Sequence, residues 1–275
     1  MPDLRPSLLA VFAHPDDEGM VGGTLAMYAA RGVRVTLAVA TRGEAGKVSP
    51  LVGEVPDLGV FREGEMCAAC ERLGIEPPVF LGFHDSGRNE RLRRDDPLAT
   101  ANAEYLEVEA RIRAVIEAVR PQVMITFDPH GGYGHPDHLA VHRAATAAFF
   151  SSGWMGTDAP RRLFYTAMTG ERVRYFQRMS PSVAAGLDPH VYAVSDETVA
   201  ARIDVSDFLE AKRGAFLAHA SQAGSNPARG GILDPEVEAM MREVMRYETF
   251  SLGATRGPVT QWPLPDLFAG LDLSA

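Results

Sequence analysis

Ser7-Leu-Leu-Ala-Val-Phe-Ala13, followed at once by His14-Pro-Asp-Asp-Glu18, decides how this chain is read. The apolar run has no polar alternation, which is the pattern of a strand covered on both faces in a parallel sheet. It delivers an imidazole and three carboxylates to one short turn before a helix predicted over 18–31. Adjacent carboxylates repel, and burial raises the cost of their charge, so such a group needs a compensating cation or solvent. His14 offers a nitrogen ligand and Asp17 an oxygen ligand, a mixture that suits zinc or another borderline divalent ion. Asp16 is then free to act as a base. The competing structural reading is that the acids at 16–18 cap the following helix.

The same pattern recurs further along. Gln122-Val-Met-Ile-Thr-Phe-Asp128 is a second apolar strand, and it runs directly into Pro129-His-Gly-Gly-Tyr-Gly-His-Pro-Asp-His138. In open parallel sheets ligands bind outside the carboxyl ends of the strands, so both clusters are expected on one edge of the molecule. His138 then completes a two-histidine, one-carboxylate set with His14 and Asp17, leaving a position open for water. His142, one helical turn beyond His138, reads as a packing or surface residue.

Between and beyond these clusters, strands are predicted at 7–14, 33–41, 77–83 and 122–128, and helices at 18–31, 60–73, 101–119 and 137–150. Apolar strands alternating with amphipathic helices imply parallel pairing with both faces covered. The expected fold class is α/β, a Rossmann-like three-layer sandwich with a mostly parallel sheet over 1–150. A less regular part, 151–275, is expected to complete the sheet and pocket within one domain, with strands at 163–167 and 191–194 and helices at 208–220 and 235–247. Segments 44–59, 86–100 and 222–233, rich in Gly, Pro or charge, read as loops over the sheet edge.

Composition narrows the function. With 275 residues, 46% of them hydrophobic, the chain can bury a substantial core. A net charge of −9 argues against a nucleic-acid partner. No stretch approaches the roughly 18 to 20 apolar residues of a membrane span, and the N-terminus lacks the layout of a secretion signal, so a cytoplasmic enzyme is expected, with homo-oligomerisation open. Cys67 and Cys70 form a CxxC, but inside an apparent helix and with no second pair; two small packed thiols are expected. A dinucleotide-binding dehydrogenase would share such a sheet, yet His14-Pro-Asp-Asp17 stands where its phosphate cradle should be, and carboxylates repel pyrophosphate.

Ala13-His-Pro-Asp-Asp-Glu18 together with Gly134-His-Pro-Asp-His138 resembles the PIG-L / LmbE-like family of zinc-dependent N-deacetylases over nearly the whole chain. Supporting pieces follow in the family's order: Thr41-Arg-Gly-Glu-Ala-Gly46, Arg62 with Glu65, Asp85-Ser-Gly87, and Lys212 with His219 and Gln222. The resemblance is closest to bacterial deacetylases of glucosaminyl thiol precursors. Where those relatives carry Arg-Asp-Ser-Gly-Met, this chain has His84-Asp-Ser-Gly-Arg88, at positions that face substrate in the family.

The resemblance implies removal of the N-acetyl group from an N-acetylglucosaminyl small molecule, with Zn2+ as cofactor or Fe2+ or another divalent ion in its place. It also implies that Asp16 passes a proton to the departing amine and that Arg62 and Asp85 hold sugar hydroxyls. The structural alternatives are an ion pair between Arg62 and Glu65 and a turn cap for Asp85. A metal-activated water with Asp16 as general base is the expected mechanism. His135, cationic or oriented by Asp137, is the candidate second donor to the oxyanion, and Tyr133 adds a hydroxyl. Glu44, Lys212 and His219 are expected to be structural support. A zinc amidase of glucosaminyl thiol conjugates and a deacetylase of another N-acylated sugar, such as a chito-oligosaccharide, are the neighbouring readings. A noncatalytic binding protein would tolerate loss of Asp16 or His135, and this chain keeps both.

Overall fold

The opening apolar run forms β1 (Ser7–Phe12), with every residue buried, in a computed structural model that describes residues 5–50, 52–179, 184, 186–222 and 244–273. β1 is an interior strand: it pairs in parallel with β2 (Arg34–Val39) on one side and β4 (Val123–Thr126) on the other. The sheet extends outward through β3 (Val79–Phe80), β5 (Arg162–Thr166), β6 (Ala201–Asp204) and β7 (Tyr247–Thr255) in the order β3-β2-β1-β4-β5-β7-β6. Five strands are parallel, as expected for βα alternation; β7 enters antiparallel to both β5 and β6.

The helices are α1 (Gly22–Ala30), α2 (Leu58–Leu73), α3 (Tyr105–Val119), α4 (Pro136–Ser151), α5 (Gly170–Met179) and α6 (Leu209–Ala218). α1, α2 and α6 pack as one group and α3 with α4 as another, so the sheet interior is dry on both faces. Local signals set the helix ends. The Asp57 carboxylate accepts from the Val60 N–H at 2.9 Å to start α2, and Gly74 ends it in the left-handed region at φ 68°. Pro121 stops α3, and Arg120 before it adopts φ 46°. Cys70 is buried on α2, Cys67 is half-buried, and both are free thiols.

Three features depart from the sequence reading. The helix expected over 18–31 opens as a separate 3₁₀ turn, Asp17–Met20, before α1 begins at Gly22. The strand expected at 191–194 is absent: Pro189–Tyr192 is a helical turn capped by Asp188, and only Val194 bridges to Thr169. The helix expected at 235–247 lies, for 235–243, outside the described residues; 244–246 are helical as expected, while its last residue, Tyr247, already belongs to β7. Strands β6 and β7 escape a hydropathy reading because each carries charge; Glu248 sits fully buried within β7. α5 was missed as well, since only a narrow stripe of that polar helix, including Val173, is apolar and buried. Among the described residues, no helix is long and apolar enough to cross a membrane.

Candidate metal centre and catalytic cleft

Because β1 and β4 run parallel, their carboxyl ends present the two His/Asp clusters side by side. Beyond β1 the chain folds back on itself. Asp17 Oδ2 accepts from the N–H of His14 at 2.7 Å and of Ala13 at 3.2 Å, which locks the turn and fixes the carboxylate. Beyond β4, Asp128 accepts from the N–H groups of His130 and Gly132, shaping the single helical turn Gly131–Gly134. α4 then starts at Pro136, with His135 Nδ1 as its N-cap acceptor. One turn of α4 carries Asp137 and His138 inward, both buried.

The three residues expected to hold a metal converge. His14 Nδ1 lies 3.1 Å from His138 Nε2 and 3.5 Å from Asp17 Oδ2, and His138 Nε2 lies 3.3 Å from Asp17 Oδ1. Ligand atoms about 2.0–2.2 Å from a tetrahedral first-row ion are about 3.3–3.6 Å apart, so the spacing fits one such ion. The outer nitrogens are committed. His138 Nδ1 donates to the Gly131 carbonyl at 2.9 Å and His14 Nε2 donates to Asp137 Oδ2 at 3.0 Å. In the absence of a metal a proton on His14 bridges the two facing nitrogens beside the Asp17 carboxylate, and a divalent cation bound there would take that proton's place. Burial opposes positive charge on His14, but Asp137, Asp17 and Asp85 prevail and hold its pKa well above the ordinary value.

A second grouping surrounds the far side of His14. Its ligand atoms and those of Asp85, His135 and Asp137 all lie within 4.8 Å of one another. Those carboxylates already accept protein hydrogens: Asp137 Oδ2 from the Ser86 N–H as well as His14, Asp85 Oδ1 from Gly87 and Asp85 Oδ2 from Ala45. Asp137 Oδ1, fully buried, has no hydrogen-bond partner among the described residues. Burial alone would raise the Asp85 and Asp17 pKa values, yet the neighbouring histidines hold both well below the usual carboxylate range.

Asp16, next in sequence to Asp17, is exposed and stands outside the His14–Asp17–His138 group. The enclosure around its carboxyl and the adjacent Asp17 charge push its pKa up to about 7. His135 corrects one expectation. Burial and then the positive character of His14 and His138 push its pKa down to about 3, so it is a neutral imidazole rather than a cation. Its orientation comes from the backbone N–H of Asp137, 3.2 Å from Nδ1, and the Asp137 carboxylate stands 4.0 Å away. The proton therefore resides on Nε2, where it can be donated. Tyr133 packs edge-on against His138, with ring centroids 5.0 Å apart, and the Arg88 guanidinium lies 4.8 Å from the Tyr133 ring centre.

Arg62 and Asp85 sit beside this cluster, and their visible partners are protein groups. Arg62 donates to the carbonyls of Gly43 at 2.6 Å and Lys47 at 3.1 Å and to Ser221 Oγ at 3.1 Å, tying the 43–47 loop to α2 and to Ser221. The expected alternative, an Arg62–Glu65 pair, is not formed; Glu65 accepts instead from the N–H and hydroxyl of Ser221. Asp85 does cap the turn before Gly87 while facing His14 Nε2 at 3.6 Å. His142 is a packing residue, donating to the Phe127 carbonyl. Arg88 on Tyr133 was missed as a site residue, though its departure from the familiar motif was the available signal.

A buried His/carboxylate group able to hold a metal, opening on a titratable acid at the carboxyl edge of a parallel sheet, is the equipment of a metal-assisted hydrolase. The family model for PIG-L, described as GlcNAc-PI de-N-acetylase, matches residues 9–149, and the chain belongs to that family. It is an N-deacetylase, a hydrolase of amide bonds. The chain is 37% identical over 296 residues to the 1D-myo-inositol 2-acetamido-2-deoxy-alpha-D-glucopyranoside deacetylase of Salinispora arenicola, covering 100% of this chain and 94% of that one. The enzyme of the same name from Mycobacteroides abscessus is 34% identical, covering 97% and 98%. The fold alone is less specific: the 4-carboxy-2-hydroxymuconate hydratase GalB of Pseudomonas putida KT2440 superposes with a TM-score of 0.59 at 18% identity, covering 93% and 99%.

Proposed function

We propose that this chain removes the N-acetyl group from an N-acetylglucosaminyl small molecule, using one divalent ion, zinc by preference, held by His14 Nδ1, Asp17 and His138 Nε2. The observation that carries this reading is the 3.1 Å approach of the two histidine nitrogens, each with its other nitrogen already donating. The pair of carboxylates beyond His14 serves to fix that ring, since both already accept hydrogen bonds from the protein. When bound, the ion supplies a Lewis acid and a water that ionises near neutrality.

The chain's own residues do the rest. Asp16, with a pKa of about 7, accepts the proton of the attacking water and returns it to the departing amine. The His135 Nε2–H, assisted by the Tyr133 hydroxyl, donates to the developing oxyanion. Asp85 and the remaining N–H groups of Arg62 orient sugar hydroxyls, and Asp137 orients His14. The whole chain acts as one domain, with 151–275 closing the pocket, and works in the cytoplasm.

The relatives named for the inositol glucosaminide favour that substrate class over a chito-oligosaccharide or a thiol conjugate. Metal-loaded protein assayed for amine release on N-acetylglucosaminyl inositol, N-acetylglucosaminyl malate, diacetylchitobiose and a glucosaminyl thiol conjugate tests the reading. Turnover is expected on an N-acetylglucosaminyl small molecule. Activity confined to the thiol conjugate would replace the proposal with the amidase.

A further inference from the structure

Asp16 is bound into the turn by its backbone alone. Its φ of 102° lies in the left-handed region, where a side chain other than glycine's is rarely found. Among the described residues, no protein group hydrogen-bonds to its carboxylate. The direction in which that carboxylate points therefore follows from how the backbone at residue 16 is held. Two bonds hold it: the Asp16 N–H donates to Glu18 Oε2 at 3.0 Å, and the Asp16 carbonyl accepts from the Gly19 N–H at 3.0 Å.

Glu18 is not an ordinary exposed capping acid. It is 1% exposed, and its other oxygen, Oε1, accepts from His219 Nε2 at 2.7 Å; His219 is itself completely buried. A carboxylate in such a place requires a partner, and this one faces a histidine from the far end of the chain. The segment carrying His219 grips the turn on its other side too, since Gln222 Nε2 donates to the Pro15 carbonyl at 2.8 Å. Residues 219–222 thus hold both flanks of Asp16. Ser221 in turn is fixed by Glu65 and Arg62, so the brace is rooted in α2.

We infer that Glu18 and His219 form a buried positioning pair for Asp16: His219 fixes the Glu18 carboxylate, and Glu18 holds the Asp16 backbone in the left-handed conformation that aims its carboxyl into the cleft. The inference rests on the proposed role of Asp16 as general base. Neither Glu18 nor His219 touches the reacting atoms; both act through Asp16. The segment before residue 223 thereby becomes part of the catalytic apparatus although it lies about 200 residues from the motif it serves.

Epistasis distinguishes positioning from general structural support. His219→Ala and Glu18→Ala are expected to lower kcat by about 10²-fold, the scale of a misplaced catalytic group, with KM and bound metal unchanged. In an Asp16→Asn background the same substitutions should lower kcat no further, because the group they position is already gone. His219→Gln, whose amide can still donate to Glu18, should recover most of the loss. An unchanged kcat in the alanine variants, or an equal further fall in the Asp16→Asn background, would overturn the inference. If an alanine variant does not fold, Glu18→Gln takes its place in the same comparison. Crystal structures of these variants provide a readout without turnover. Asp16 leaving the positive-φ region supports the pair, and Asp16 retained at the φ of 102° found here overturns it. A wild type inactive on every N-acetylglucosaminide would defeat the proposed function and leave this structural arm to decide the pair.

Discussion

His14 Nδ1 and His138 Nε2 face each other across 3.1 Å at the ends of two neighbouring parallel strands, and each ring is held there by a bond from its opposite nitrogen. The consequence is a metal content that depends on both rings. His14→Ala and His138→Ala should each lose the ion, measured as metal per chain after desalting. Full occupancy in His138→Ala would move the ion to the Asp85–Asp137 side of His14, and full occupancy in His14→Ala would exclude both groupings.

Asp16 supplies the pH dependence. Its pKa is raised to about 7, so above that pH it is a carboxylate able to accept a proton, and below it the acid form is inactive. kcat/KM should therefore fall on the acid side, as pH drops through a value at or below about 7, since a divalent ion bound at Asp17 offsets part of the upward shift. Asp16→Asn should keep its metal, lose about 10²–10⁴-fold in kcat and lack that limb. An acidic limb that persists in Asp16→Asn would show that another group controls it.

His135 is neutral and donates from Nε2, so its loss should act on the transition state rather than on metal binding. His135→Ala is expected to retain metal and to lower kcat by about 10²–10³-fold, the cost of one oxyanion donor. Loss confined to KM would instead make His135 a substrate-binding residue.

Glu248 accepts from Lys212 Nζ at 2.6 Å and from the N–H groups of Gly23 and Thr24 at the start of α1, at 3.0 and 2.7 Å. Burial drives the Lys212 pKa down and Glu248 counteracts this, so the pair stands or falls together. Glu248→Ala should destabilise the fold by about 3–5 kcal/mol by stranding a buried ammonium and two amides. Denaturant unfolding measures this; an unchanged midpoint would mean that water replaces the carboxylate.

Arg88 places a cation on the Tyr133 ring at the cleft. A charge-assisted hydrogen bond is worth about 1.5–3 kcal/mol, so Arg88→Met should lower kcat/KM about tenfold or more for N-acetylglucosaminyl malate, with a smaller loss for the neutral inositol substrate. Equal losses on the two would leave Arg88 as a packing partner of Tyr133.

Much of the molecule follows from local sequence. An uninterrupted apolar run at 7–13 can satisfy itself only with cover on both faces, so β1 had to be an interior parallel strand, and the histidines and acids after β1 and β4 had to share an edge. The convergence of His14, Asp16 and Asp17 with His138 was legible for that reason: the first three lie within a few residues of β1, and His138 lies on the first turn of the helix that follows β4. Contacts between distant residues were decided elsewhere. β7 enters the sheet between β5 and β6, and its buried Glu248 is tolerable only because Lys212 and the α1 amides meet it. The bond from His219 to Glu18, the loop held by Arg62 and the stacking of Arg88 on Tyr133 likewise join positions with no local pattern in common. Short-range periodicity reports what one element buries; which charged group arrives from another element to satisfy it is a property of tertiary packing alone.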